Sequence, residues 1–258
     1  MIKMFQELKK HSFLLYYLTA KDFKIKYRRS VFGIAWSVLN PFFMMVILSI
    51  VFSQFFRFDI YKFPVYLILG QTAFNFFNEA TTTTMTSVLS SAALIKKVYI
   101  PKYIFPVEKT LFAFVNYAIS LIAVAIVMIF YRIPIGWPIL LLPFLLICLF
   151  FFSMGIGLII SCLAVFFRDT IHLYSVLVTA WMYLTPIFYP FNILPEYMQR
   201  IVCFNPLHIY IDFLRNIALY NNVPGLSSFI GCVAAAVISM FLGCWVFFKN
   251  QNKFILHI

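Results

Sequence analysis

The chain has 258 residues, 64% of them hydrophobic and only 11% charged, with a net charge of +12 and a mean hydropathy of +0.95. Soluble domains carry roughly 25% charged residues, so these figures exclude a large water-soluble core and indicate an all-α polytopic membrane protein. Nor does the positive charge suggest nucleic acid: the cations border apolar spans, where they meet anionic lipid, and no basic soluble domain interleaved with aromatics accompanies them.

Residues 1–30 do not span. Leu14, Tyr17, Leu18 and Ile25 recur at helical spacing among Lys21, Lys24, Lys26, Arg28 and Arg29. That pattern predicts an amphipathic interface helix, its apolar face in lipid and its cations at the headgroups. The first apolar run starts near Val31 with no small-residue cleavage site after it, so no cleavable signal peptide is expected.

A span needs about 20 apolar residues. Six stretches qualify: 32–56, 64–86, 104–131, 138–166, 170–189 and 226–248. The basic residues test this topology. Those before the first span, around the loop after the second (Lys96, Lys97, Lys102, Lys109), after the fourth (Arg168) and after the sixth (Lys249, Lys253) make fifteen of the twenty. Arg57, Lys62, Arg132, Arg200 and Arg215 fall on the other side. The positive-inside bias then puts both termini in the cytoplasm.

Asn40 and Pro41 sit in the first span, where proline removes a backbone hydrogen bond and favours a kink. The second span ends on Glu79 and a threonine run, polar groups that belong against water or protein rather than lipid. A pairing of Glu79 with a cytoplasmic lysine is the other reading. The loop at 88–103, SVLSSAALIKKVYIPKY from Ser87 on, is short, cytoplasmic and limited by Pro101. It is either a rigid elbow on which a cytoplasmic partner acts or an ordinary connection. In the fourth span Gly155-x-Gly157 and Ser161 permit close helix packing. Arg168 and Asp169 are placed to cap helix ends at the following turn.

Residues 190–225 hold two short helices, one started by Pro195 and one by Asn205 and Pro206 as N-cap and first-turn residue. Each is too short to cross alone, and charge parity has the segment begin and end outside. The segment therefore reads as re-entrant short helices before the last span. Asp212 and Arg215, three apart, are placed to pair.

Cys148, Cys162, Cys203, Cys232 and Cys244 form no C-x-x-C, and four lie within apolar spans, so they read as small buried hydrophobes. No glycine is followed by lysine, which removes the phosphate-loop route to ATP. H-E-x-x-H and Gly-x-Ser-x-Gly are absent and the four histidines are isolated. Neither metal nor catalytic residues are expected. Aromatic residues make up 20% of the chain. Phe42, Tyr174, Trp181, Tyr183 and Tyr189 are candidates to line a substrate channel, since aromatic faces accept the C–H faces of sugars while Tyr and Trp tips hydrogen-bond. A membrane-interface belt of Tyr and Trp is the alternative.

The run KDFKIKYRRSVFGIAWSVLNPFFM at 21–44 resembles the amino-terminal signature of the polysaccharide-export branch of type-2 ABC transporter permeases. That signature is a basic stretch, R-x-S-x-x-G-x-x-W, then N-P. It falls on Arg29, Val31, Gly33, Trp36, Asn40 and Pro41, with Ser30 directly after Arg29. LIKKVYIP at 94–101, FFRD at 166–169, W-x-Y-x-T-P-I-x-Y at 181–189, LP at 194–195 and NP at 205–206 follow in order. The resemblance implies a homodimeric channel in the bacterial cytoplasmic (inner) membrane with two copies of a separate cytoplasmic ATPase, which would hold ATP and Mg. No cofactor is expected in this chain.

On that resemblance Ile95, Lys96, Lys97, Val98 and Tyr99 contact the ATPase. Lys26, Arg28, Arg29 and Trp36 belong to the interface helix and the way in. Pro195, Asn205, Pro206, Asp212 and Arg215 belong to the outer gate. The implied cargo is undecaprenyl-linked polysaccharide of O-antigen type, or alternatively teichoic acid or another cell-wall glycopolymer. A membrane enzyme acting on a polyprenyl-linked sugar would have to use Glu79, Glu108 or Asp169. An ion-coupled carrier would show paired intramembrane charges and an internal repeat, which the sequence does not display.

Overall fold

Proline and glycine set most of the helix boundaries. Pro64, Pro143 and Pro206 occupy first turns, where a missing N–H is harmless. Gly33 opens the first apolar helix at φ +50°, a backbone conformation only glycine adopts freely. Thr185 precedes Pro186 and takes an extended conformation, ending its helix. The computed structural model describes residues 11–28, 30–55, 60–98 and 100–256, with the backbone alone for 53–55 and 256. Arg29, expected at the way in, and Tyr99, expected in the coupling contact, lie outside the described residues, as do the charges of Lys3, Lys9, Lys10 and Arg57.

All regular structure among the described residues is helical. The α-helices are α1 (Ser12–Tyr27), α2 (Trp36–Phe55), α3 (Phe63–Ser90), α4 (Ala92–Lys97), α5 (Ile104–Phe130), α6 (Leu142–Phe166), α7 (Thr170–Leu184), α8 (Glu196–Cys203), α9 (Pro206–Ala218) and α10 (Leu226–Asn250). Among the described residues four segments are long and apolar enough to cross a membrane: Gly33–Phe52, Ile104–Phe130, Trp137–Phe166 and Leu226–Ile255. The other two expected spans differ in character. α3 has 28 residues, about 42 Å at 1.5 Å per residue, but Glu79 and the threonines lower its hydropathy. α7 has only 15 residues, and 185–189 continues it as non-helical chain.

α3 is the central post, packed against α2, α5, α6, α7 and α9. Its buried faces are mainly apolar and aromatic, with Gln71, Thr72, Thr81, Thr84 and Ser87 among them. Its remaining face is polar: Asn75 and Ser90 are exposed and Asn78, Glu79, Thr82, Thr83 and Thr86 half-buried, all at the i, i+3/i+4 spacing of one helix side. The helix tolerates them because the hydroxyls bond back to carbonyls one turn earlier, Thr82 to Asn78 (2.5 Å) and Thr83 to Glu79 (2.7 Å).

α6 and α10 meet backbone to backbone. A Cβ on Gly155 would lie 2.3 Å from the Ser239 carbonyl carbon, and one on Gly243 would lie 2.4 Å from the Gly155 oxygen. A Cβ on Gly157 would meet the Thr84 side chain at 2.8 Å. The close packing expected of Gly155-x-Gly157 is thus present.

At one end of the bundle a second apolar cluster joins Ile95 of α4, Tyr103 and Ile104 at the start of α5, Val165 of α6 and Phe247 and Phe254 near the carboxyl end. Leu14, Leu15 and Leu18 of α1 pack on it. This corrects the expected lipid face of α1. Leu14 and Leu18 turn toward protein, whereas Phe13, Tyr16, Tyr17 and Ile25 point outward, because apolar residues occupy both sides of this helix. At the α6–α7 turn Asp169 does stand at the N-cap position of α7, but its side chain makes no capping hydrogen bond.

Candidate functional site

Asn75 and Glu79, four residues apart, project from the same side of α3. Asn116 and Ser120 do so from α5, and Ser37 and Asn40 lie on α2. With Lys26 and Tyr27 at the end of α1 they enclose a recess of about 320 Å³, whose apolar walls include Trp36, Pro41, Phe76 and Tyr117. Lys26 Nζ donates to Glu79 Oε1 at 2.6 Å, and Asn116 Nδ2 donates to the same oxygen at 2.9 Å. The Tyr27 hydroxyl donates to Asn116 Oδ1 (3.2 Å) and pairs with the Ser37 hydroxyl. Glu79 therefore does meet a basic residue, and that residue is Lys26. α1 is further fixed to α5 by an ion pair of Asp22 with Lys109 and by Phe23 against Phe112, ring centroids 4.8 Å apart.

The channel candidates separate. The Tyr174 hydroxyl donates to Thr81 Oγ1 (2.6 Å) and the Trp181 indole to Asn205 Oδ1 (2.9 Å). Asn205 in turn donates to Thr185 Oγ1 (2.9 Å) and accepts from the Leu207 amide (3.1 Å) as N-cap of α9. Tyr174 and Trp181 also line an apolar groove of about 580 Å³ against α8 and α9, with Leu184, Met198, Val202 and Pro206. Tyr183 is on the opposite side of α7 and 62% exposed. The Tyr189 hydroxyl donates to the Tyr183 carbonyl (2.8 Å). Phe42 packs half-buried on the main core. Pro195 precedes α8 at its N-cap, as expected.

Asp212 and Arg215 do not pair. The Asp212 carboxylate accepts from Asn216 (3.0 Å). Arg215, 2% exposed, turns inward and donates to the carbonyls of Tyr66 (3.3 Å), Pro186 (2.8 Å) and Ile187 (3.1 Å). Its guanidinium carbon lies 3.3 Å from the centre of the Tyr66 ring, and the Tyr66 hydroxyl donates to the Tyr189 carbonyl (3.0 Å). The non-helical chain at 185–189 is thus held by side chains that take its carbonyls one by one.

At the α4 end Ile95 is buried, while Lys96, Lys97 and Val98 are exposed, so the helix is anchored by one residue and presents the others. Lys102 donates to the Gln251 carbonyl (2.6 Å), and burial lowers its ammonium pKa. Of the acids an enzyme would need, Glu79 is tied to Lys26, Glu108 is buried 3.5 Å from Lys109, and Asp169 is exposed at a separate turn. The described residues hold no group of three His, Cys, Asp or Glu that suits a metal.

Sequence reasoning did not find the recess. Its signal was there in two polar pairs four apart inside apolar stretches, Asn75 with Glu79 and Asn116 with Ser120.

Residues 14–219 match the family described as ABC-2 type transporter. Two proteins of Klebsiella pneumoniae, each named O-antigen export system permease protein RfbA, are similar. One is 28% identical over 93% of both chains and the other 30% identical over 75% of both. A Myxococcus xanthus protein of the same name is 23% identical over 98% of both chains. The chain is an integral membrane protein and belongs to the ABC-2 type transporter family.

Proposed function

We propose that this chain is the membrane permease subunit of an ATP-driven exporter of O-antigen-type polysaccharide carried on a polyprenyl lipid. The observation that carries the reading is the polar face of α3. A helix about 42 Å long with Asn75, Glu79, Thr82, Thr83 and Thr86 along one partly exposed side is costly against lipid. It suits a wall along which a hydroxylated polymer passes. The exposed faces of α2 and α7 on either side fit a channel completed by a second copy. The similarity to proteins named for O-antigen export supports the choice of cargo.

In this reading six segments cross: α2, α3, α5, α6, α7 with 185–189, and α10. Non-helical backbone at membrane depth is tolerated only where its polar groups are satisfied inside protein, and Arg215 and Tyr66 do this for 185–189. The end bearing α1, α4 and the carboxyl terminus faces the cytoplasm of a bacterial inner membrane, and α8 and α9 form the outer gate. A separate ATPase supplies the free energy and biases the channel through a contact that differs between its states, with Ile95 seating α4 and Lys96, Lys97 and Val98 meeting the partner. Lys96→Glu with Lys97→Glu leaves the chain in the membrane and abolishes surface polysaccharide, scored by gel of cell-surface glycans. Normal glycans in that variant would remove α4 from the coupling contact. Normal glycans in a strain lacking the chain would remove the export reading itself.

A further inference from the structure

We infer that the recess between α1, α2, α3 and α5 is a binding site for an uncharged sugar residue of the transported glycolipid. This rests on the export reading above and adds a specific subsite to it. The argument begins with charge. Lys26 and Glu79 are the two ionic side chains on the recess wall, and at 2.6 Å they cancel one another. A phosphate entering here would have to displace the carboxylate or lie beside it, so the lining disfavours an anion.

What remains is amide and hydroxyl. Asn40 and Asn75 line the recess and are both exposed to it, and each offers two donors and an acceptor. Pro41, on the same wall, has no N–H to give the Ser37 carbonyl. The Tyr117 side chain is 3% exposed, so it closes the recess as an apolar wall, and its hydroxyl has no partner among the described residues. Trp36, Tyr27 and Phe76 supply flat apolar walls. Alternating amides and ring faces match a pyranose, which has hydroxyls around its rim and C–H groups on its faces. The volume of about 320 Å³ is at the small end of ligand pockets, roughly 300–1,000 Å³, and so suits a unit or two rather than a chain.

The test uses the full chain in phosphatidylethanolamine/phosphatidylglycerol nanodiscs. The probes are the methyl glycosides of glucose, galactose, mannose and N-acetylglucosamine, with inorganic pyrophosphate as the anionic arm, read by saturation-transfer NMR. At least one glycoside gives a saturable signal that Asn75→Leu and Asn40→Leu each weaken about tenfold, that Asn75→Ser weakens less, and that pyrophosphate does not displace. The thermal midpoints of all variants stay at the parental value. No saturable glycoside, a signal indifferent to Asn75→Leu, or displacement by pyrophosphate overturns the inference. A parallel measurement of surface polysaccharide separates the two levels. Loss of the whole chain tests export, whereas Asn75→Leu exporting as the parent does would sink the subsite and leave export standing.

Discussion

Arg215 shows what a single buried residue does here. Its three donated hydrogen bonds go to carbonyls at two places remote in sequence, and its guanidinium plane lies over Tyr66. Lysine carries the same charge but lacks the planar fork and cannot serve three carbonyls in fixed directions. Arg215→Lys is therefore expected to destabilise the fold by on the order of 2–4 kcal/mol, read as a lower thermal midpoint of the detergent-solubilised protein. Gly70→Ala reaches the same knot from the other side, because the added Cβ would lie 2.7 Å from a guanidinium nitrogen. Its midpoint falls too, and the double variant falls by less than the sum because both act on one interaction. A midpoint unchanged in Arg215→Lys would show that the fork is dispensable. The i, i+3 spacing pointed instead to Asp212, since spacing reports only neighbours on the same helix. The carbonyls that claim Arg215 come from a loop 28 and 29 residues earlier and from Tyr66, 149 residues away, beyond the reach of any local pattern. Lys26 and Glu79 were half legible for the same reason: a lysine partner was foreseen, but which lysine depends on how α1 docks.

Helices were legible where periodicity and punctuation agree. The Pro195 start of α8 and the Asn205 and Pro206 start of α9 follow from local chemistry alone, and so does the glycine contact of α6. The shortness of α7 was not read from hydropathy, which does not distinguish a helix from the non-helical 185–189 that continues it; the signal lay in Pro186, which turns Thr185 extended and ends the helix. The two-sided character of α1 was not legible. Apolar residues at helical spacing announce that a face is buried, not whether lipid or protein buries it. The α6 and α10 pair gives the cleanest test at this scale. Gly155→Ala forces a methyl to within 2.3 Å of backbone, which cannot rotate away, so the helices must separate. A loss of about 2–3 kcal/mol is expected from lost packing and strain, measured as the thermal midpoint and as increased trypsin sensitivity of the solubilised chain. Gly225→Ala is the matched control. A Cβ there meets nothing nearer than 3.7 Å, and its effect stays within about 0.5 kcal/mol. Equal behaviour of the two variants would show that the contact of α6 with α10 is looser than the structure has it.

The molecule as a whole carries a natural reporter of its orientation. Four of its five cysteines are buried and Cys203, at the end of α8, is exposed. In the proposed topology α8 lies on the outer side, whereas α4 lies on the cytoplasmic side with Val98 exposed beside it. A membrane-impermeant maleimide reacts with an accessible thiolate and leaves buried thiols alone. Applied to intact spheroplasts it should label the parental chain, and Cys203→Ser should abolish the label. Val98→Cys in the Cys203→Ser background should then label only after lysis. The two sites have opposite accessibility because an odd number of crossings separates them: α5, α6 and α7 with 185–189. The experiment consequently tests the short fifth crossing as well as the orientation. If α7 and 185–189 turned back without crossing, Cys203 and Val98→Cys would report the same side. If the charge bias had the bundle inverted, their labels would exchange places. A thiol outside on α8 and one inside on α4 requires an odd number of crossings between them with the α4 end inside, as the six-pass topology has it.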